Sequence, residues 1–218
     1  MALFFAAGSV CFLIGPFPGY AGLAGSTAVA ITFFVGSILF TIGGGLQLRL
    51  ALADRGAPGS RRAALGTAAV QSAGTIFFNL STGHALDTAP PQAVYDSLVW
   101  RPDALGSICF LVSGAIAYRA SARNGWWPAH DHAGWWEPSV NLFGCGLFAI
   151  AAVAGYLVPS TGSILDLAAA NWTTAGGAAC FLACALATLR TGRTSKSARF
   201  RRVRGIERAV ERDVGWIG

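Results

Sequence analysis

Charge is scarce in this chain. Of 218 residues only 12% are charged, about half the ~25% of a typical soluble domain and too few to coat a globular surface in water. No charged side chain falls between Met1 and Leu48. The shortage excludes an ordinary soluble domain and fits a chain whose solvent is mostly lipid. Missing motifs exclude more. There is no Walker-type phosphate loop, no nucleophile elbow and no His-Glu-x-x-His zinc helix. No lysine lies in an apolar segment, so a retinal Schiff base has no anchor. Only His84 lies near a helix, which leaves bis-histidine haem ligation without a second ligand.

Two further scarcities matter. The cysteines are five, Cys11, Cys109, Cys145, Cys180 and Cys184, all inside apolar segments. An odd, buried set is not a disulfide framework; small packing residues are expected. Asp, Glu, Lys and Arg are not expected near the membrane midplane, which disfavours proton-coupled carriers and ion pumps.

What is abundant is glycine, at 28 residues. Between membrane helices small residues let backbones approach, and packing replaces the missing hydrophobic drive. The glycines are patterned. Phe34 to Gly43 contains a Gly, a small residue, two spacers and an aromatic (Gly36 to Phe40). The pattern returns from Gly8 to Phe12, Gly106 to Phe110, Gly144 to Phe148 and Gly177 to Phe181. Gly74 to Phe78 also fits. These glycines and phenylalanines, with Gly43, are the expected helix-packing residues.

The apolar segments are about 1–23, 27–48, 63–80, 103–120, 139–158 and 165–189, with a loop from 81 to Pro102 and a polar tail over 190–218. Runs above 15 residues without period-two alternation indicate helices rather than strands. The first segment lacks the basic n-region of a signal peptide, its first Arg being Arg49, and reads as a real helix that ends or kinks at Pro16-Phe17-Pro18-Gly19. Charge orients the chain. With both termini inside, four Lys or Arg follow the second segment, two the fourth and nine the sixth; Arg101 alone is outside, with Asp87, Asp96, Asp103 and Asp166.

Arg49, Arg119 and Arg190 each stand 13 residues after a motif glycine, about 20 Å along a helix, at the inner boundary where guanidinium groups reach phosphates. Ser81 to Asp87 parallels Ser160 to Asp166, and aligning those Ser-Thr-Gly turns favours Gly66-Thr67 over Gly74-Thr75 as the third motif. The fold expected is an all-α membrane protein: six transmembrane helices as three repeated hairpins in a pseudo-three-fold bundle, plus a C-terminal amphipathic basic helix.

Phe34-Val35-Gly36-Ser37 with Phe40 and Gly43, and the run Gln71 to Leu86, resemble the YrhK-like membrane proteins of bacteria. Asn141 to Gly144 and Leu157 to Gly162 resemble the later part of the longer actinobacterial-type versions. The resemblance covers most of residues 26 to 190. It implies a bacterial cytoplasmic-membrane location and brings no catalytic residues, since the family has no assigned activity.

Polar constellations are few. His130-Asp131-His132 between Trp126-Trp127 and Trp135-Trp136 could begin a metal site, but no fourth ligand is near; an interfacial loop in an aromatic belt is expected instead. Gln71, Asn79, His84 and Asn141 could line a polar path, though amides more often hydrogen-bond between helices. In the tail, Phe200, Val203, Ile206 and Val210 form a helical stripe among Arg201, Arg202 and Arg204, with Glu207 and Glu211 able to pair along it. Such a helix suits anionic lipid headgroups or a partner subunit, and its apolar stripe argues against nucleic acid. The chain reads as a non-catalytic scaffold or accessory subunit without cofactor or metal, assembling with itself or other membrane subunits. The alternative is a channel or facilitator for a small uncharged solute, which a closed apolar centre would remove.

Overall fold

The computed structural model describes residues 1–87, 91–122 and 134–214, with side chains through 192. Among the described residues the protein is all-α apart from one two-stranded ribbon. Its helices are α1 (Ala2–Ile14), α2 (Pro18–Ala24), α3 (Ser26–Ala53), α4 (Pro58–His84), α5 (Gln92–Val94), α6 (Arg101–Ser121), α7 (Trp136–Ala154) and α8 (Leu167–Val214). Strands β1 (Leu157–Val158) and β2 (Ser163–Ile164) pair antiparallel between α7 and α8, turning at Gly162 with φ +65°, a left-handed conformation that glycine adopts without penalty.

Four helical segments are long and apolar enough to cross a membrane: Ser26–Ala53, Gln92–Ser121, Trp136–Ala154 and Leu167–Gly192. A fifth arises if α1 and α2, bent by 84° across Pro16 to Pro18, count as one span. The bend sits where the prolines withdraw backbone donors. Helix α4 has 27 residues, about 40 Å, but Arg61, Arg62, Gln71 and Asn79 leave it less apolar than the other four. Large apolar side chains such as Ile76, Ile108, Phe143 and Val153 are exposed on the outer faces, as a lipid-facing surface would have them.

Six long helices close into a ring in chain order. α1 packs on α3, α3 on α4, α4 on α6, α6 on α7, α7 on α8, and α8 returns to α1. Three expectations change. The expected loop to Pro102 is helical from Gln92 onward, through a π-helical turn at Tyr95–Trp100 that joins α5 to α6. Proline at 102 removes a donor from the ladder, and a π turn just upstream accommodates such a break. Asp103 therefore lies 11 residues inside its segment rather than at the entrance. The Ser-Thr-Gly parallel does not hold either: Ser81 to Gly83 is helical within α4, whereas Thr161-Gly162 is the ribbon turn. Lastly, α8 continues to Val214 as one helix rather than starting anew near Phe200.

Candidate functional site

The Gly-small-x-x-Phe motif places three residues in three different interfaces. Each glycine faces the other helix of a sequential pair. A Cβ on Gly36 would lie 2.8 Å from Cys11 Cβ, one on Gly74 3.0 Å from Cys109 Cβ, and one on Gly144 2.9 Å from Cys180 Cβ. Gly8, Gly106 and Gly177 approach the opposite glycine's carbonyl oxygen at 3.0 to 3.1 Å by the same construction. Gly43 lies against the Phe5 ring. Three cysteines thus rest on the glycines of the facing helix, and all five are free thiols. Gly66 has open space around it, so Gly74 is the glycine of α4 that packs.

The small residue after each glycine is sealed: Ser9, Ser37, Thr75, Ser107, Cys145 and Ala178 are each at most 2% exposed. Several join adjacent pairs. Ser37 Oγ and Thr82 Oγ1 are 2.8 Å apart between α3 and α4, and Ser107 Oγ donates to the Phe148 carbonyl across α6 and α7 at 3.3 Å.

The six phenylalanines meet at the centre. Phe12, Phe78 and Phe148 form one triangle, with ring centroids 5.9 to 6.4 Å apart. Phe40, Phe110 and Phe181 form a second, at 5.8 to 6.4 Å. The triangles stack through Phe12–Phe40, Phe78–Phe110 and Phe148–Phe181 at 5.0 to 5.5 Å. Edge-to-face geometry dominates, as aromatic quadrupoles prefer. The result is a trigonal prism of rings filling the axis.

A cup opens at each end of this septum. The residue three before each glycine shares a helix face with the Phe four after it, two turns away and about 10 Å along the axis. It therefore reaches past the septum to the other side. On α1, α4 and α7 these residues are Phe5, Gln71 and Asn141, and all three line a cavity of about 300 Å³ with Gln47, Glu137 and Thr188. On α3, α6 and α8 they are Phe33, Asp103 and Thr174, which line a second cavity of about 200 Å³ with Ser81, Thr82, Tyr95 and Trp100.

Of the residues considered for a polar path, only Gln71 and Asn141 come together. Gln71 and Asn141 share the larger cup, where Asn141 Nδ2 makes only a 3.9 Å contact to Cys145 Sγ. Asn79 instead donates from Nδ2 to Thr41 Oγ1 at 2.6 Å between α3 and α4, its Oδ1 buried without a partner. His84 is exposed at the end of α4. Arg49, Arg119 and Arg190 are exposed on their helices. The His130 to His132 cluster lies outside the described residues, and the side chains of Phe200, Arg201, Arg202, Val203, Arg204, Ile206 and Val210 lie outside the described side chains. No group of three or more His, Cys, Asp or Glu able to hold a metal occurs among the described residues.

Sequence reasoning missed Asp103, placing it at a helix entrance. The available signal was its register, three residues before Gly106, on the face that carries Phe110. No protein-family model, curated protein or solved structure matches this chain.

Proposed function

We propose that this chain is a six-pass protein of the bacterial cytoplasmic membrane, built as three repeated hairpins about a pseudo-three-fold axis, with both termini inside. It works without catalysis, as a scaffold or accessory subunit of a membrane complex. The motif likeness to YrhK-like membrane proteins belongs to this proposal and brings no activity with it. The observation that supports it most is the phenylalanine septum: the axis is occupied by packed rings where a solute would have to pass. Gly45 and Gly146 support assembly. They have open space where a side chain would be, so another helix can approach closely there. The basic tail adds contact with anionic headgroups or with a partner.

Purification from native membranes in mild detergent tests the proposal. A stoichiometric partner or a defined oligomer, lost when Gly45 or Gly146 is replaced by Leu, is expected. A lone monomer from native membranes, with unchanged behaviour in those variants, refutes it.

The alternative, a facilitator for a small uncharged solute, has the closed ring septum against it; it keeps the polar cups on both sides in its favour only if the rings part, as apolar constrictions that gate by dewetting do. Flux in liposomes that rises when Phe110 is replaced by Ala would favour it. No flux in either protein removes it.

A further inference from the structure

The smaller cup holds the one feature of the bundle that the scaffold proposal leaves unexplained. Asp103 lies within a segment apolar enough to span a membrane and lines the cup. An ionisable group at such a depth is costly and normally has a partner. This one has none: no described residue hydrogen-bonds to its carboxyl or forms an ion pair with it. Arg101, two residues away, is held instead by Asp96 at 2.8 Å. No described residue compensates its charge, so in the empty cup the carboxyl is best kept neutral, and its ionised form needs a cation brought into the cup.

The walls say what kind of cation fits. Phe12, Phe33, Tyr95, Trp100 and Phe148 all line the same cup. Two of the rings are fixed by their polar edges. Trp100 Nε1 donates to the Ala152 carbonyl at 2.8 Å, and Tyr95 Oη donates to the Gly155 carbonyl at 3.3 Å. Trp100 is further clamped by Tyr156, with ring centroids 4.8 Å apart. A hard metal ion seeks six or so oxygens; besides the two of Asp103, the side-chain oxygens lining the cup are those of Ser81, Thr82, Tyr95 and Thr174, and Tyr95 is engaged with the Gly155 carbonyl. The Thr82 hydroxyl is already spent on the Phe78 carbonyl and on Ser37. A carboxylate among preset aromatic rings is instead the arrangement that holds an alkylated ammonium, through charge on one side and ring faces on the others. The cup's volume of about 200 Å³ equals roughly six or seven waters at ~30 Å³ each, or a cation of a similar number of heavy atoms.

We propose that the Asp103 cup is a binding site for a small organic ammonium cation, of the size and type of choline or tetramethylammonium. Asp103 supplies the counter-charge, and Phe33, Tyr95 and Trp100 the aromatic enclosure. The site stands whether or not the protein serves as a scaffold.

Equilibrium dialysis of the full-length protein in detergent with radiolabelled choline tests this. Saturable one-to-one binding is expected, with 3,3-dimethylbutan-1-ol, the neutral isostere, failing to compete. Asp103→Asn should weaken binding by about tenfold or more, as loss of a buried counter-charge does. Phe33→Leu should weaken it by about threefold through loss of a ring face. Gln71→Leu, in the opposite cup, should leave it unchanged. The proposal is overturned if choline binding is absent, if the neutral isostere competes equally, if Na⁺ displaces choline at comparable concentration, or if folded Asp103→Asn binds as wild type does. Should Asp103→Asn fail to fold, the isostere competition on the wild-type protein and the Phe33→Leu affinity decide.

Discussion

Replacing glycine by alanine at two positions of one helix separates packing from backbone propensity. Gly66 and Gly74 are both in α4, so an added methyl helps the helix at each by up to about 1 kcal/mol. Around Gly66 there is nothing within 4 Å of the new Cβ, whereas at Gly74 it would lie 2.7 Å from Phe110 Cδ1 and 3.0 Å from Cys109 Cβ. Neither neighbour can yield easily. Phe110 is 2% exposed and wedged against Phe78 at 5.0 Å and Phe181 at 5.8 Å, and the Cys109 Cβ moves only with its backbone. Overpacking of this kind costs roughly 1 to 3 kcal/mol. Because the propensity gain is common to both, Gly74→Ala should be less stable than Gly66→Ala by that ~1 to 3 kcal/mol. Gly66→Ala itself should be neutral or slightly more stable than wild type. Unfolding of the purified protein by titration from mild detergent into SDS, followed by helical circular dichroism, gives both values. Equal shifts in the two variants, or a larger loss at Gly66, would refute the account of the glycines.

Other perturbations probe the remaining layers. Phe110→Ala removes a ring that touches both triangles and should cost about 3 to 5 kcal/mol in the same titration; a loss below about 1 kcal/mol would mean the septum is not what holds the ring of helices. Asn79→Leu sacrifices one interhelical hydrogen bond, typically ~0.6 kcal/mol, but also removes the orphaned Oδ1, so stability should stay within about 1 kcal/mol of wild type. A double-mutant cycle of Ser37→Ala with Thr82→Val should show a coupling of about 0.6 kcal/mol across α3 and α4, and zero coupling would place the 2.8 Å contact outside the energetics. A reporter fused after Arg190 should be active only on the cytoplasmic face; exterior activity would overturn the orientation drawn from the arginines.

How much of this was legible depended on what kind of signal each residue carries. The Gly-small-x-x-Phe spacing is local and repeats, and its three positions turn out to serve three interfaces: glycine to the facing helix, the small residue to the interhelical seal, Phe to the axis. What spacing could not supply was register between copies. The alignment of the Ser-Thr-Gly turns favours Gly66 over Gly74 in α4, whereas the structure packs Gly74, the one with a Phe four residues on, because what stands opposite a glycine is tertiary information. The Ser-Thr-Gly repeat misled for a related reason. Such turn-forming residues are tolerated inside a helix that tertiary packing supports, as in α4, and form a turn where the helix has already ended, as after α7. Pro102 hid the start of the fourth segment, because a proline that normally marks a boundary is here absorbed by a π-helical turn.

The same motif runs up three helices and down the other three, and this has a consequence for where the protein can differ between its two faces. A motif that read the same in both directions and ended at its phenylalanine would make a septum with identical sides. The sides differ because the residues three before the glycines escape the repeat: Phe5, Gln71 and Asn141 face one way, Phe33, Asp103 and Thr174 the other. Repacking the septum changes both cups at once, since each is floored by it. Exchanging Gln71, Asn141, Asp103 or Thr174 changes a single cup, whereas Phe5 and Phe33 also pack against Gly43 and Gly15 and against the septum rings Phe40 and Phe12. Chemistry specific to one face of the septum is therefore carried by these positions together with the residues beside them in each cup, Glu137 in the larger and Tyr95 and Trp100 in the smaller, and of the six Asp103 alone is ionisable.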